Sequence, residues 1–412
     1  MKLAYVTPRY GENIIGGAEH AVRMLSERLV AHTDIEVEVF TTCADDIITW
    51  KNTSPPGSHT LHGVRVHRFA SLSGRAKTFP AFSETLLSKP TRIQTKEALA
   101  WIELQGPVTP DLVQAVEACD ADLVAFYPYL YYPTVHGIPH VAERAIMHPA
   151  AHDEPPLRLS IFQKVFTAVQ ALVFQTENER RLVEQIFRVA HKPQLQLGLG
   201  VEQITGDEQA FRFQTGIGNR PYLLCLGRVD NTKGVKILSN CWKAFKQLHP
   251  ENPHVLIFAG PIVHPLPSLP DVIVTGPIGT HAKWGALQGA DVLISPSPFE
   301  AFSLVLLEAW STGTPVLVNG HCGPTREHAI RSHAGLWFED YRTFAAALNL
   351  LLCHPGLRCA LGQNGEKYVQ CFFQWDTIIA QYEKFLLEMA ERVKSRSPTI
   401  SSRVFSSTHA SK

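Results

Sequence analysis

The chain has 412 residues, a formal net charge of zero, an apolar fraction of 45% and a charged fraction of 18%. Such a composition is typical of a globular protein, and the length exceeds what one hydrophobic core usually supports, so two domains are expected. A zero net charge gives no global attraction to nucleic acid or to an anionic membrane, and nucleic acid is therefore not expected as a partner.

The N-terminus is a short apolar run that ends at Pro8, which is too short for the apolar core of a signal peptide. No run of about 18 apolar residues follows, so no transmembrane helix is expected. The eight cysteines are scattered without a C-x-x-C pair, which favours buried free thiols over disulfides or a zinc site. We expect a cytoplasmic protein, and the mixed basic and apolar stretch 78–104 leaves peripheral membrane contact open.

Strand and helix patterns alternate along the first half of the chain. A strand is predicted at 3–8, and apolar residues from Ala18 to Leu29 then recur at helical spacing. Further strands are predicted at 36–42, 64–70, 121–127, 144–147 and 171–175. This alternation indicates βαβ units, a parallel sheet and helices on both of its faces.

A second series of the same kind follows a break near residues 200–218, where glycines and polar residues interrupt the pattern. Its strands are predicted at 222–226, 254–259, 272–275, 292–295 and 315–318, with an amphipathic helix from Val235 to Leu248. We therefore expect one domain over 1–203 and a second over 204–375. A last helix is predicted over 376–393, and the Ser-rich segment 394–412 is predicted to be a disordered tail.

Two glutamates, Glu300 and Glu308, stand eight residues apart in an otherwise apolar stretch between a predicted strand and a predicted helix. A carboxylate costs several kcal/mol to desolvate unless it is paired or hydrogen-bonded. The carboxyl end of a strand is also where open α/β sheets bind ligands. The two glutamates therefore indicate a binding site.

Residues 227–234, Gly-Arg-Val-Asp-Asn-Thr-Lys-Gly, follow the first strand of the second series and open its helix. Arg228 can hold phosphate oxygens with a bidentate fork, and Lys233 adds a point charge. The free N–H groups of the helix start favour an anion at the same place. This loop indicates a bound diphosphate, with a solvated turn as the alternative.

A second glycine loop runs from Gly11 through Gly16 and Gly17, between the first strand and the first helix. Adjacent glycines let the backbone approach a ligand closely. The loop has neither the Gly-Lys-Ser/Thr of a Walker A motif nor a G-x-G-x-x-G pattern. A ligand-binding loop and a plain tight turn both remain open here.

Residues 148–156 form a proline-rich segment after another predicted strand, with His148 and His152 four apart. The prolines argue for a loop, so hydrogen bonding to a ligand is favoured over metal binding by the histidine pair, with a structural loop of satisfied polar groups as the alternative. The aromatic run 127–132 would suit either a carbohydrate site or core packing.

The three motifs occur together, in the order seen in glycosyltransferase family 4. The chain resembles that family in Gly16-Gly17-Ala18-Glu19, in the G-R-x₄-K-G of 227–234 and in Glu300-x₇-Glu308. Residues 295–297 and 313–316 are similar to the family's frame around its glutamates. The resemblance is dense over 220–340 and thinner over 1–200, as suits a variable acceptor-binding domain.

The resemblance implies a GT-B fold, in which two Rossmann-like domains with parallel sheets face each other across a cleft and a C-terminal helix crosses back to the N-terminal domain. It implies a retaining, metal-independent enzyme with no cofactor, whose donor substrate is a nucleoside diphosphate sugar. Arg228 and Lys233 would neutralise the leaving diphosphate, Glu308 would accept the ribose hydroxyls, and Glu300 would lie near the donor sugar.

The resemblance also implies roles for backbone groups and for one histidine. The amides of Phe302, Ser303 and Leu304 would contact the phosphates, and Gly16 and Gly17 would close over them from the other domain. His152 would face the donor sugar, with His148 as the competing choice. Many family members have glycine at positions 301 and 303, so the sugar contacts are expected to differ here.

We therefore expect a glycosyltransferase that moves a hexose to a sugar or glycan acceptor. One alternative is a GT-B sugar-nucleotide epimerase or phosphorylase-like enzyme, which would release product without an acceptor. The other is a non-catalytic protein of the same fold that binds a sugar nucleotide or a glycan. The nucleotide base, the sugar, the linkage and the oligomeric state are not specified by these motifs.

Overall fold

The computed structural model describes residues 1–14, 16–202, 204–266 and 269–396. Within these ranges the chain forms two sheets covered by helices, which confirms the predicted α/β GT-B class. Most of the predicted tail lies outside the described residues, but its first three residues, 394–396, are helical. No single helix in the described ranges has both the length and the apolar character needed to cross a membrane.

The N-terminal sheet has eight strands in the order β3-β4-β2-β1-β5-β6-β7-β8. The strands are β1 Lys2–Val6, β2 Glu36–Thr42, β3 Gly57–Leu61, β4 Val64–Phe69, β5 Leu123–Phe126, β6 Ala145–Met147, β7 Ala171–Phe174 and β8 Gln194–Gln196. Every pairing is parallel except the hairpin of β3 and β4. Its two turn residues, His62 and Gly63, both have positive φ, as a type I′ turn requires.

Seven helices cover this sheet. They are α1 Gly17–His32, α2 Phe79–Leu87, α3 Thr95–Gln105, α4 Pro110–Ala118, α5 Tyr132–Val141, α6 Ile161–Ala168 and α7 Glu177–Ile186. Short 3₁₀ turns occur at Pro90–Arg92, Ala142–Arg144 and Pro155–Arg158. The loop that carries His148 and His152 runs from the end of β6 to the third of these turns, as the prolines predicted.

The C-terminal sheet has six parallel strands in the order β11-β10-β9-β12-β13-β14. The strands are β9 Tyr222–Leu226, β10 Val255–Ala259, β11 Val272–Gly276, β12 Val292–Ser295, β13 Val316–Asn319 and β14 Gly335–Phe338. The helices are α8 Glu208–Thr215, α9 Val235–Leu248, α10 Thr280–Gln288, α11 Leu304–Trp310, α12 Gly323–Ser332, α13 Tyr341–Cys353 and α14 Pro355–Phe372, with a 3₁₀ turn at Asn231–Lys233.

The strand order reverses once in each sheet, between β1 and β5 and between β9 and β12. Connections leave such a point in opposite directions, which opens a crevice at the carboxyl ends of the two central strands. In the C-terminal sheet the loops at this point are 227–234 and 296–303, which carry the predicted diphosphate and glutamate motifs. The topology therefore places both motifs at one crevice.

The last helix, α15 Trp375–Arg396, returns to the N-terminal domain, where it packs against α1 and β5. The connection between the domains passes beneath it, and two glycines make this close approach possible. A Cβ atom on Gly198 would lie 2.5 Å from the Phe373 ring, and one on Gly200 would lie 2.4 Å from the Trp375 ring. The guanidinium of Arg28 covers the other side of Trp375 at 4.0 Å.

A buried polar chain joins α15 to the N-terminal sheet. The Tyr5 hydroxyl donates to the Tyr382 hydroxyl at 2.9 Å, and the Tyr382 hydroxyl lies 2.7 Å from His148 Nε2. Burial lowers the pKa of His148 to about 3, so its ring is neutral and Nε2 can accept the Tyr382 proton. His148 is thus a core residue that anchors the crossing helix.

Replacing Tyr382 with Phe should leave both the Tyr5 hydroxyl and the His148 ring nitrogen buried without a partner. We expect Tyr382→Phe to lower the free energy of unfolding by about 1–3 kcal/mol, as measured by urea denaturation. Tyr127→Phe is the matched control, because the buried Tyr127 hydroxyl has no hydrogen-bond partner among the described residues. Equal stability of the two variants would contradict this role for Tyr382.

Candidate active site

The loop after β9 is built around Asp230, a residue that the motif analysis did not single out. The Asp230 carboxylate accepts hydrogen bonds from the backbone N–H groups of Thr232 and Lys233, and so caps the 3₁₀ turn. Its other oxygen lies 3.1 Å from Nε of Arg228. Asp230 therefore orients the Arg228 side chain and fixes the backbone at Lys233.

The glycine that closes this loop is required by its geometry. Gly234 has a φ of 73°, and a Cβ atom there would lie 2.1 Å from the carbonyl oxygen of Pro296. The two loops of the switch point are thus in backbone contact at Gly234. Any other residue would force them apart and would separate Lys233 from the glutamate loop.

The predicted residues of both loops share one cavity of about 210 Å³. Arg228, Lys233, Glu300, Ser303 and Leu304 all line it. Nζ of Lys233 lies 2.7 Å from Oε1 of Glu300, and both side chains are only partly exposed. Two residues 67 apart in sequence therefore meet as an ion pair, which explains how the Glu300 carboxylate is stabilised without a ligand.

The segment 302–304 has an unusual backbone for its sequence. Ser303 adopts a left-handed conformation with a φ of 68°, which favours glycine. The Phe302 side chain is buried against Phe373 and His328. Phe302 can therefore meet a ligand only through its backbone. Among the described residues, no hydrogen bond occupies the N–H groups of Phe302, Ser303 or Leu304.

Glu308 lies in a second cavity, of about 420 Å³, which both domains line. Its carboxylate is 2.7 Å from Nζ of Lys283, on helix α10. On the N-terminal side the cavity is lined by His20, Arg23 and Glu27 of α1. Lys283 was missed in the sequence, because it stands 25 residues before its partner with no motif around it.

Gly16 and Gly17 do not line either of these cavities, although Gly17 begins α1. A Cβ atom on Gly16 would lie 2.1 Å from the Glu19 carboxylate, whereas one on Gly17 would meet nothing within 4 Å. Glu19 accepts a hydrogen bond from Nε of the buried Arg9 at 2.9 Å. Gly16 is thus explained by the packing of a buried ion pair, and its predicted phosphate contact stays a prediction.

The structure separates the two candidate histidines. His148 is buried beneath α15, so it cannot face a donor. The His152 ring packs edge-on against Phe299 of the C-terminal domain, with 5.9 Å between ring centroids. Nδ1 of His152 lies 3.2 Å from an oxygen of Glu154, and that oxygen accepts a hydrogen bond from the Tyr129 hydroxyl at 2.7 Å. His152 is therefore the histidine at the domain cleft, beside the Glu300 loop.

The electrostatic surroundings of His152 favour its protonated form. Burial lowers the pKa of His152, but the neighbouring Glu154 and Glu300 carboxylates outweigh this effect and the net shift is upward. A negative charge brought into the cleft would act in the same direction. His152 can therefore donate a hydrogen bond or a proton toward an oxygen of a ligand.

A fully buried carboxylate supports the His152 loop from below. Glu179 accepts hydrogen bonds from the backbone N–H groups of Ala151, at 2.8 Å, and Gln175, at 2.7 Å. Burial raises the pKa of Glu179 to about 7, although these hydrogen bonds favour its charged form. Sequence patterns gave no signal for this residue, because its partners are main-chain groups.

The aromatic run belongs to the core rather than to a carbohydrate surface. Tyr127, Tyr129 and Tyr131 are all buried. Among the described residues no group of three His, Cys, Asp or Glu side chains is arranged to hold a metal ion. The predicted absence of a metal and of a cofactor stays a prediction.

The chain is similar to known proteins over almost its whole length. Residues 207–368 match the family model described as "Glycosyl transferases group 1". A D-inositol 3-phosphate glycosyltransferase of Kineococcus radiotolerans is 27% identical, over 94% of each chain. The Kineococcus relative thus aligns with both predicted domains, whereas the family model covers most of the C-terminal one.

Solved structures show the same architecture. Sucrose-phosphate synthase from Thermosynechococcus elongatus superposes with a TM-score of 0.71 at 18% identity, over 95% of this chain and 99% of that one. The Anabaena protein HepE in complex with UDP-glucose superposes with a TM-score of 0.63 at 16% identity, over 96% and 100% of the two chains. At these identities the likeness shows the fold alone.

The raised pKa of Glu179 predicts a pH dependence of stability. Between pH 4.5 and about 7 the folded protein keeps a proton on Glu179 that the unfolded chain has lost, so this residue's contribution decreases as the pH rises. The free energy of unfolding of wild type, relative to Glu179→Gln, should fall by about 3 kcal/mol over this range. Urea denaturation of both proteins at several pH values measures this difference in unfolding free energy. A difference that does not change with pH would refute the raised pKa of Glu179.

Proposed function

The chain belongs to the family of group 1 glycosyl transferases, and from this premise we propose that it is a retaining enzyme that transfers a hexose from a nucleoside diphosphate sugar. The proposed acceptor is a hydroxyl of a sugar or glycan. The observation that carries this proposal is the single cavity in which Arg228, Lys233 and Glu300 meet at the switch point of the C-terminal sheet.

The proposed diphosphate site consists of Arg228 and Lys233 with the free N–H groups of 302–304. Lys233 is paired with Glu300 in the structure, at 2.7 Å. A diphosphate between the two loops would compete for the ammonium group and would leave one Glu300 oxygen available to the hydroxyls of the donor sugar. The same cations would stabilise the negative charge that grows on the diphosphate as it leaves.

The proposed nucleoside site lies around Glu308, in the cavity shared by the two domains. The nearby Lys283 ammonium balances the charge of the Glu308 carboxylate, whose remaining lone pairs can accept hydrogen bonds from ribose hydroxyls. It also reduces the repulsion between Glu308 and the diphosphate. Lys283 thus supports the donor without contacting the reacting carbon.

We assign the chemical step to front-side attack. The acceptor oxygen bonds to the anomeric carbon on the face from which the diphosphate departs, the bond from that carbon to the diphosphate oxygen breaks, and the departing phosphate oxygen takes the proton of the acceptor hydroxyl. His152, beside the Glu300 loop, would donate a hydrogen bond to the donor sugar. The N-terminal loops at the carboxyl ends of β1 and β6 would hold the acceptor.

Comparison with relatives supports the classes of substrate. HepE was solved with UDP-glucose, and the Kineococcus relative is named for a phosphorylated cyclitol acceptor. These names support a nucleotide sugar as the donor and a polyhydroxyl compound as the acceptor. They do not specify the base or the sugar for this chain.

A nucleoside diphosphate should stabilise the protein, because only the folded chain assembles the two loops. We expect at least one of UDP, GDP and ADP to raise the thermal unfolding temperature, by an amount equivalent to about 2.7 kcal/mol at 100 times its dissociation constant. A fluorescence thermal-shift screen with the diphosphates and their sugars identifies the base. No shift with any nucleotide would argue against the proposed donor site.

Lys233→Ala should lower the turnover number for transfer by about 10²–10³-fold, because the leaving diphosphate loses a fixed positive charge. Lys236→Ala is the matched control, since Lys236 is exposed one turn away on α9 and does not line the cavity. Turnover is measured by release of nucleotide in the presence of acceptor, after circular dichroism confirms folding. Near-wild-type turnover of Lys233→Ala would overturn the assigned role.

A further inference from the structure

We propose that Glu327, in the C-terminal domain, is a positioning residue for His152, in the N-terminal domain, and that it acts through helix α7 and the buried Glu179. This inference rests on the proposed function, because it assumes that His152 meets a donor bound to the other domain. Neither Glu327 nor Glu179 belongs to the motifs that identify the site. Both are carboxylates that accept hydrogen bonds from main-chain N–H groups.

The first contact crosses from one domain to the other. One oxygen of Glu327 accepts a hydrogen bond from the backbone N–H of Glu177 at 3.2 Å, and the other accepts from that of Asn178 at 2.6 Å. These are the first two residues of α7, a helix of ten residues. A helix start exposes free N–H groups and the positive end of the helix dipole, so a carboxylate is well suited to it.

The contact is close and well shielded. A Cβ atom on Gly323, at the start of α12, would lie 2.3 Å from the Asn178 side chain, so the absence of a side chain at Gly323 leaves room for Asn178 of α7 against α12. The Glu327 side chain is only 16% exposed. Its other partner is Arg331 on the same helix, at 3.3 Å, so within the described residues the carboxylate bridges the two domains directly.

The second contact leads from α7 to the His152 loop. Thr176 caps α7 by accepting a hydrogen bond from the N–H of Glu179 at 3.1 Å. The Glu179 side chain then turns inward, where one oxygen binds the N–H of Ala151 and the other that of Gln175. Because Glu179 is fully buried, a movement of α7 is transmitted to Ala151 rather than taken up by solvent.

The third step is the short loop itself. Ala151 directly precedes His152, and Ala150 adopts a left-handed conformation with a φ of 50°, which limits how the loop can rearrange. His152 then faces Phe299, next to Glu300 in the donor loop. The chain of contacts therefore starts at Glu327 in the C-terminal domain and passes through α7 and Glu179 of the N-terminal domain. It ends at His152, which faces the donor loop of the C-terminal domain.

A defined consequence follows for binding and turnover. Arg228, Lys233, Glu300 and Glu308 all belong to the C-terminal domain, so nucleotide binding by these groups does not depend on the position of α7. Transfer does depend on it, since His152 is carried by the N-terminal domain. Loss of the Glu327 contact should therefore slow transfer without weakening nucleotide binding to the same extent.

We test this with Glu327→Ala, Glu327→Gln and the control Glu184→Gln, whose carboxylate also lies on α7 but, among the described residues, pairs with Arg180 of the same helix and with no group of the C-terminal domain. Glu327→Ala should lower the turnover number by roughly 10–10²-fold, the scale expected for a catalytic group displaced by about 1 Å. Glu327→Gln should be intermediate, since its amide keeps one acceptor oxygen. Calorimetry should give an unchanged nucleotide dissociation constant for both, and the control should match wild type.

A double-mutant cycle tests whether Glu179 lies on the same route. Glu327→Ala and Glu179→Gln should each lower turnover, and together they should lower it by less than the product of their separate factors. Multiplicative losses would show that the residues act independently and would overturn the route through Glu179. Wild-type turnover in a folded Glu327→Ala, or turnover and nucleotide affinity lost in parallel, would overturn the role of Glu327.

Hydrogen exchange tests the route without any turnover assay. In Glu327→Ala the amide of Ala151 should exchange faster than in wild type, as should those of Glu177 and Asn178. Faster exchange at Glu177 and Asn178 but not at Ala151 would contradict transmission to the His152 loop. If wild type transfers no sugar but the Ala151 amide still exchanges faster in Glu327→Ala, then the proposed function is wrong while the route of contacts from Glu327 to Ala151 is supported.

Discussion

The structure depends on one constraint, which is that a carboxylate withdrawn from water needs a defined partner. Four glutamates in and around the cleft satisfy it in two ways. Glu300 and Glu308 meet lysine ammonium groups, each at 2.7 Å. Glu179 and Glu327 instead accept backbone N–H groups. The choice of partner matches the proposed task, since side-chain cations can be shared with a ligand whereas main-chain groups fix a position.

The ion pairs also explain how the two loops of the site stay together. The Lys233 ammonium attracts and neutralises the Glu300 carboxylate across the loops, and Gly234 lets the loop backbones touch. A diphosphate can enter such a site by sharing the lysine rather than by ordering a flexible loop. Less conformational entropy is then lost on binding than would be lost with mobile loops.

Much of the fold was predictable from the sequence, for a simple reason. Central parallel strands are buried on both faces and so appear as short apolar runs, and those at β2, β9 and β12 were predicted with their observed bounds. The strands β3, β8 and β14 were missed. β3 is exposed and polar at a sheet edge, β8 has three residues, and β14 is a partly buried edge strand of four residues. The final helix begins one residue earlier and ends three residues later than predicted, and its last turns are polar.

The part of the site whose residues lie close together in the sequence could be predicted. Sequence alone determined the loops after β9 and β12, because a loop that directly follows a strand brings its own polar residues to the sheet edge. Only the tertiary structure decided between His148 and His152, and only it paired Lys283 with Glu308 and Glu327 with α7. Those contacts join groups from 25 to 150 residues apart, and packing between helices and domains, which no local pattern encodes, sets the distance between them.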